Sequence, residues 1–171
     1  ECTQLGAELL GDPSVDADAE MISMVISCLK AAGLKEFQLS IGHADFFRGL
    51  MEAAGLLEEQ EEELRELISN KNFFGVEEFV ETLNLEENLK KFFGMLGNLY
   101  TGSDELSAAR KCAASYPRIL KAIGDLEELH KILEVYEVSR YVSFELGTIS
   151  NYQYYTGIIF AGYTFGSGEA I

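Results

Sequence analysis

Tyr154-Tyr155-Thr156-Gly157-Ile158-Ile159-Phe160-Ala161-Gly162-Tyr163-Thr164 is dense in aromatic and β-branched residues, which is the composition of a strand and not of a helix. The preceding run from Tyr141 to Leu146 has the same character, and Gly147 through Gln153 supply the turn between the two. Before them the chain is helical in pattern. Leu126, Leu129, Ile132, Leu133 and Tyr136 fall at the spacing of one buried stripe over Leu126 to Tyr136, and Leu106–Tyr116 and Pro117–Ile123 read as two shorter helices. From Leu56 to about Asn98 the pattern is helical throughout, with a Glu-rich stretch from Glu58 to Glu66. That acidic run reads as a solvated helix face whose buried side carries Leu57, Leu64 and Ile68.

The opening of the chain alternates strand and helix. From Cys2 to Leu10, Gln4, Gly6 and Glu8 share one face while Leu5, Ala7 and Leu9 share the other, the period of a half-buried strand. Gly11-Asp12-Pro13 breaks it. Asp16, Asp18 and Glu20 then crowd a helix start, and Ile22, Val25, Ile26 and Leu29 follow at helical spacing as far as Gly33. Phe37, Leu39 and Ile41 alternate with Gln38 and Ser40 as a second strand closed by Gly42-His43, and Asp45 to Ala54 return to helix. The sum is an α+β chain with strands near both ends and an all-helical middle. The strands are expected to join in one mainly antiparallel sheet flanked by helices, and both ends read as truncated.

The net charge of −16, from 13 basic against 29 acidic residues, disfavours nucleic acid as a partner because the few cations are not clustered in sequence. Cys2, Cys28 and Cys112 are odd in number and widely spaced, and with only two histidines beside them neither a disulfide framework nor a metal site is expected. No apolar stretch is long enough for a membrane span and no basic-then-apolar leader opens the chain, so a cytoplasmic protein is expected.

Two strands place a glycine beside polar groups. Gly6 separates Gln4 from Glu8, and Gly157 shares a face with Tyr155, leaving room on each strand for a small ligand. A carboxylate and a phenol set across a gap can hold an imidazole by its two nitrogens. From spacing alone, a solvent-facing strand edge and an ordinary strand aromatic pair explain the same residues.

Thr3-Gln4-Leu5-Gly6-Ala7-Glu8-Leu9-Leu10-Gly11, with Asp16-Ala17-Asp18-Ala19-Glu20 after it, resembles the end of motif 2 and the following helix of histidyl-tRNA synthetase-like proteins. Tyr154 to Phe160 resembles their histidine-binding motif, whose synthetase form reads R-G-L-D-Y-Y-T-G. Ser40-Ile41-Gly42-His43 with Phe46-Phe47-Arg48-Gly49-Leu50 is similar to the regulatory-subunit branch of that family, the branch that serves ATP phosphoribosyltransferase. His43 by itself reads as a polar residue at a helix start.

The resemblance implies a class II aminoacyl-tRNA synthetase-like core fragment in one domain over residues 1–171, with an insertion-like helical segment at about 56–137. It implies histidine contacts from Gln4 to the amino group and from Glu8 and Tyr155 to the imidazole, with Tyr154 beside them. The family's catalytic arginine falls at Ser150, which cannot supply a fixed cation to the charge developing at the α-phosphate. No catalytic residue and no cofactor are therefore expected. What the resemblance implies instead is a non-catalytic subunit that the short-form catalytic subunit of ATP phosphoribosyltransferase requires for activity. That subunit would transmit feedback inhibition by L-histidine and self-pair within a hetero-oligomer. A divergent histidyl-tRNA synthetase and a histidine-binding paralogue with another partner are the alternatives.

Overall fold

Strand β1 (Phe37–His43) sits inside a four-stranded sheet because it is apolar enough to be covered on the helix side and small and polar on the other. The computed structural model describes residues 5–149, 155–164 and 170. Strand β1 pairs antiparallel with β4 (Ile158–Thr164), from Phe37 opposite Thr164 to His43 opposite Ile158. It pairs parallel with β3 (Val142–Glu145), with Leu39 opposite Val142 and Ile41 opposite Phe144. The two residues of β2 (Leu99–Tyr100) add an antiparallel edge to β3, giving the order β2-β3-β1-β4. Two of the three pairings are antiparallel, as expected. A parallel neighbour needs a crossover connection, and here residues 44–141 supply it; the helical middle is the link from β1 to β3.

Helix α1 (Val15–Ala31) starts where Ser14 Oγ accepts from Ala17 N at 3.2 Å, and Asp16 and Asp18 lie in its first turn. Ile22 and Ile26 turn inward and are fully buried. Helix α2 (Ala44–Ala54) follows β1 without a linker and stops at Gly55, whose φ of 58° is the left-handed conformation that ends many helices. In the middle, the single helical run expected from Leu56 to Asn98 is three helices, α3 (Glu58–Ser69), α4 (Phe73–Thr82) and α5 (Glu87–Met95). The first break comes at Lys71, which takes φ 53° between two asparagines, and Asn72 then caps α4 by accepting from Gly75 N at 3.1 Å. Replacing Asn72 with Ala should destabilise the chain by about 1 kcal/mol, read from the urea midpoint, because that N–H loses its acceptor. The Glu-rich face of α3 is solvated and Leu64 and Ile68 are buried as expected, but Leu57 is largely exposed.

Helix α6 (Ser103–Cys112) precedes α7 (Pro117–Val135), which is one helix where the sequence suggests two. Gly124 in its interior costs about 1 kcal/mol relative to Ala. Ile119, Ala122, Ile123, Leu126, Leu129 and Leu133 outweigh that cost, since all are buried on one continuous stripe. Helix α7 packs against α1, α2 and α6 and reaches β1, so the core lies between it and the sheet. Phe37 stacks on Tyr141 of the 3-10 turn Ser139–Tyr141, with ring centres 4.9 Å apart. No helix among the described residues is long and apolar enough to cross a membrane.

The strand expected over Cys2–Leu10 is corrected where it can be seen: residues 5–10 form no strand. A period-2 pattern gains nothing without a ladder partner, and none of the described strands pairs with it; Leu5 and Leu10 are more than four-fifths exposed.

Candidate functional site

The C-terminal end of β1 is the point where the sequence-predicted site and the fold meet. Gly157, with φ 74°, leads into β4 and its carbonyl accepts from Ala44 N at 2.8 Å, which ties the start of β4 to the first turn of α2. On the neighbouring strand the loop after β3 lies directly on the backbone of Gly42. A Cβ there would stand 2.6 Å from Thr148 Cβ and 3.1 Å from the Glu145 carbonyl, so only glycine admits that approach. The same loop is pinned by Gly147 N donating to Leu96 O at 3.1 Å. It leads into residues 150–154.

His43 is the last residue of β1 and the N-cap of α2, the role its position suggests. Its Nδ1 accepts from Asp45 N at 3.1 Å, which places the proton on Nε2, 3.3 Å from Asp125 Oδ2. Asp125 also takes Lys121 Nζ at 2.5 Å, and Arg118 spans Asp45 and Glu52 at 3.0 Å each. This chain of charges locks α7 to α2. Burial holds the His43 imidazole below its ordinary range, against the opposing pull of Asp125 and Asp45. A folded pKa below the unfolded one means that His43 contributes full stability above about pH 6.5 and loses it as pH falls through the folded value, because the unfolded chain binds the proton first. Stability should therefore decline below about pH 6.5 by no more than about 1.4 kcal/mol per pH unit from this group. His43→Asn, which still caps the helix, should flatten that limb in urea titrations at stepped pH. Asp18, whose carboxyl is pushed up by burial and then by Asp125, acts in the opposite sense at lower pH.

The other face of the sheet carries a second polar group. Ser40 Oγ donates to Glu145 Oε2 at 2.9 Å, and Lys71 Nζ lies 3.1 Å from Glu145 Oε1 and over the Tyr163 ring at 5.8 Å. Neither this cluster nor the His43–Asp125 pair was found from the sequence. Their members are 105, 74 and 82 positions apart, and the one local hint was that Ser40 and Glu145 each fall on the polar side of an alternating strand.

Of the residues singled out for ligand binding, Gln4 and Tyr154 lie outside the described residues, as does Ser150. Glu8 is exposed on the irregular segment before α1, and Tyr155 is 42% exposed two residues before Gly157. The structure does not bring Glu8 and Tyr155 onto one strand floor, since residues 5–10 and Tyr155 itself lie outside the sheet. Among the described residues no group of three His, Cys, Asp or Glu could hold a metal ion.

The model of the histidyl-tRNA synthetase family matches residues 1–171. The chain belongs to the histidyl-tRNA synthetase family. Within it, the ATP phosphoribosyltransferase regulatory subunit of Acetivibrio thermocellus is 42% identical over all of this chain and 41% of its own length. The crystal structure of an ATP phosphoribosyltransferase regulatory subunit/histidyl-tRNA synthetase from Bacillus halodurans superposes with a TM-score of 0.82 at 33% identity, over 94% of this chain and 42% of that one. The ATP phosphoribosyl transferase complex of Thermotoga maritima shares the fold at a TM-score of 0.64 and 17% identity, over 93% of this chain and 55% of that one. The chain spans about two fifths of the length of the curated relatives it matches. The class II synthetase-like α+β fold is thus that of the family.

Proposed function

We propose that this chain is the synthetase-like core of a regulatory subunit of ATP phosphoribosyltransferase, acting in histidine biosynthesis without catalysis of its own. The observation that carries the reading is the 42% identity, over all of this chain, to a protein of that name. Residues 1–171 then form one synthetase-like domain fragment with a helical insertion at about 56–137. The partner is the short-form catalytic subunit, which needs this subunit for activity, and the Thermotoga maritima structure supports such pairing by being a complex. L-Histidine is the ligand, contacted by Gln4, Glu8, Tyr154 and Tyr155, and it inhibits by binding one quaternary state better than another. The subunit self-pairs within the hetero-oligomer, in the cytoplasm. Ser150, at the family's arginine position, supports the loss of synthetase chemistry.

A divergent synthetase is the second reading, favoured by the double name of the Bacillus halodurans protein. Two assays on the full-length protein separate them. Addition to a short-form catalytic subunit should switch on phosphoribosyl transfer that histidine then inhibits, and histidine-dependent exchange of pyrophosphate into ATP should be at background. Robust exchange with no activation of the catalytic subunit would overturn the regulatory reading.

A further inference from the structure

A cleft of about 510 Å³ opens where the β2–α6 junction, α7 and the 3-10 turn meet, walled by Thr101, Asp104, Glu105, His130, Glu134 and Arg140. His130 belongs to the buried stripe of α7 and is only 4% exposed, with its ring 5.7 Å from that of Phe144 in β3. Its Nδ1 is buried and has no hydrogen-bond partner among the described residues. Glu134 Oε2 lies 3.6 Å from it, beyond hydrogen-bond reach. Buried side-chain nitrogens are seldom left so, and an orphaned one calls for an explanation.

The charges around it point to the missing partner. Asp104 and Glu134 meet no lysine or arginine among the described residues. Glu105 already accepts from Thr101 N at 2.8 Å, which closes the first turn of α6. Among the described residues of the wall the one permanent cation is Arg140, and it is already engaged: its Nη2 donates to the Tyr141 hydroxyl at 2.7 Å and its guanidinium lies over that ring at 4.7 Å. The cleft thus offers acceptors and negative charge, on a chain that is itself strongly acidic. An anion is disfavoured, and the carboxylates and imidazole do not come close enough in threes to ligate a metal. A guanidinium or primary ammonium is a donor-only group that can reach an imidazole nitrogen and a carboxylate together.

We infer that this cleft binds a small organic cation, with one N–H donating to His130 Nδ1 and the charge held by Glu134 and Asp104. The Glu134 side chain is 56% exposed, so its carboxylate can swing out by the width of the entering group while keeping contact with it. His130 then holds its own proton on Nε2, and the buried acceptor is satisfied.

Agmatine, which carries a guanidinium and an ammonium but no carboxylate, is the probe. Titrated into the ¹⁵N-labelled full-length protein, it should shift the His130 imidazole nitrogens saturably at millimolar concentration or below. Glu134→Gln and Asp104→Asn, both surface changes that leave the core intact, should each weaken binding roughly threefold to tenfold. Two outcomes overturn the inference. One is a shift that potassium chloride reproduces at matched ionic strength, which would be screening alone. The other is no saturable shift, which would leave a water molecule as the only partner of Nδ1.

Discussion

Phe92→Ala is expected to cost about 3 to 5 kcal/mol, which is a large share of the 5 to 15 kcal/mol that holds a domain of this kind folded. Phe92 is fully buried on α5 and meets Phe46 of α2 and Tyr116 edge-on, with ring centres 6.1 and 5.9 Å apart. Those two partners lie on either side of α5 in the chain, Phe46 in α2 before it and Tyr116 at the entry to α7 after it. The ring is therefore a joint between α5 and the rest of the core, and the cavity left by Ala would be bordered by three separate elements that cannot all close on it. Pairs of this geometry also contribute beyond area alone, by about 0.5 to 1.5 kcal/mol each. Urea unfolding of wild type against Phe92→Ala measures the loss, with Phe74→Ala as control: Phe74 is 70% exposed and its removal should change stability by less than about 0.5 kcal/mol. A loss below about 1 kcal/mol for Phe92→Ala would mean that α5 is not docked where the structure has it.

Elements whose partners are close in sequence were the legible ones. The alternation Phe37, Leu39, Ile41 marks β1, and Gly42-His43 followed by Asp45 marks the turn into α2, because strand period, cap and first-turn carboxylate all fall within ten residues. Where tertiary packing decides, the local pattern misleads. Gly124 looks like a boundary in sequence, yet the apolar stripe through Leu126 and Leu133 carries α7 across it. Asn70-Lys71-Asn72 hid a break because the left-handed residue is a lysine, not a glycine or an asparagine. The two residues of β2 exist only because β3 lies beside them. At the other extreme, the alternation from Leu5 to Leu10 was real in sequence and yields no strand, since a strand is made by its neighbour. The candidate site was legible mainly through likeness to a family. Its described members, Glu8 and Tyr155, are exposed and outside the sheet, whereas the polar groups the fold does assemble, His43 with Asp125 and Ser40 with Glu145 and Lys71, come from positions too distant to be paired by eye.

Glu8→Gln should weaken histidine binding to the full-length protein by about 1 to 3 kcal/mol, or roughly five- to 150-fold in Kd. The expectation rests on the proposed contact between this carboxylate and an imidazole N–H. A hydrogen bond to a charged acceptor is about twice as strong as a neutral one, and glutamine keeps the length and an acceptor oxygen while removing the charge, so the change isolates that component. Tyr155→Phe removes a neutral donor at the other imidazole nitrogen and should cost less, about 0.5 to 1.5 kcal/mol. The order of the two effects is itself diagnostic, because a purely structural role for either residue would not rank them by charge. Glu8 is exposed in the described chain, so Glu8→Gln should not lower folding stability by more than about 0.5 kcal/mol. Calorimetric titration of histidine, in the presence of the catalytic subunit, reads both. Equal affinity in wild type and Glu8→Gln would mean that Glu8 does not touch the ligand, and would move the histidine site away from this pocket toward the contact between subunits.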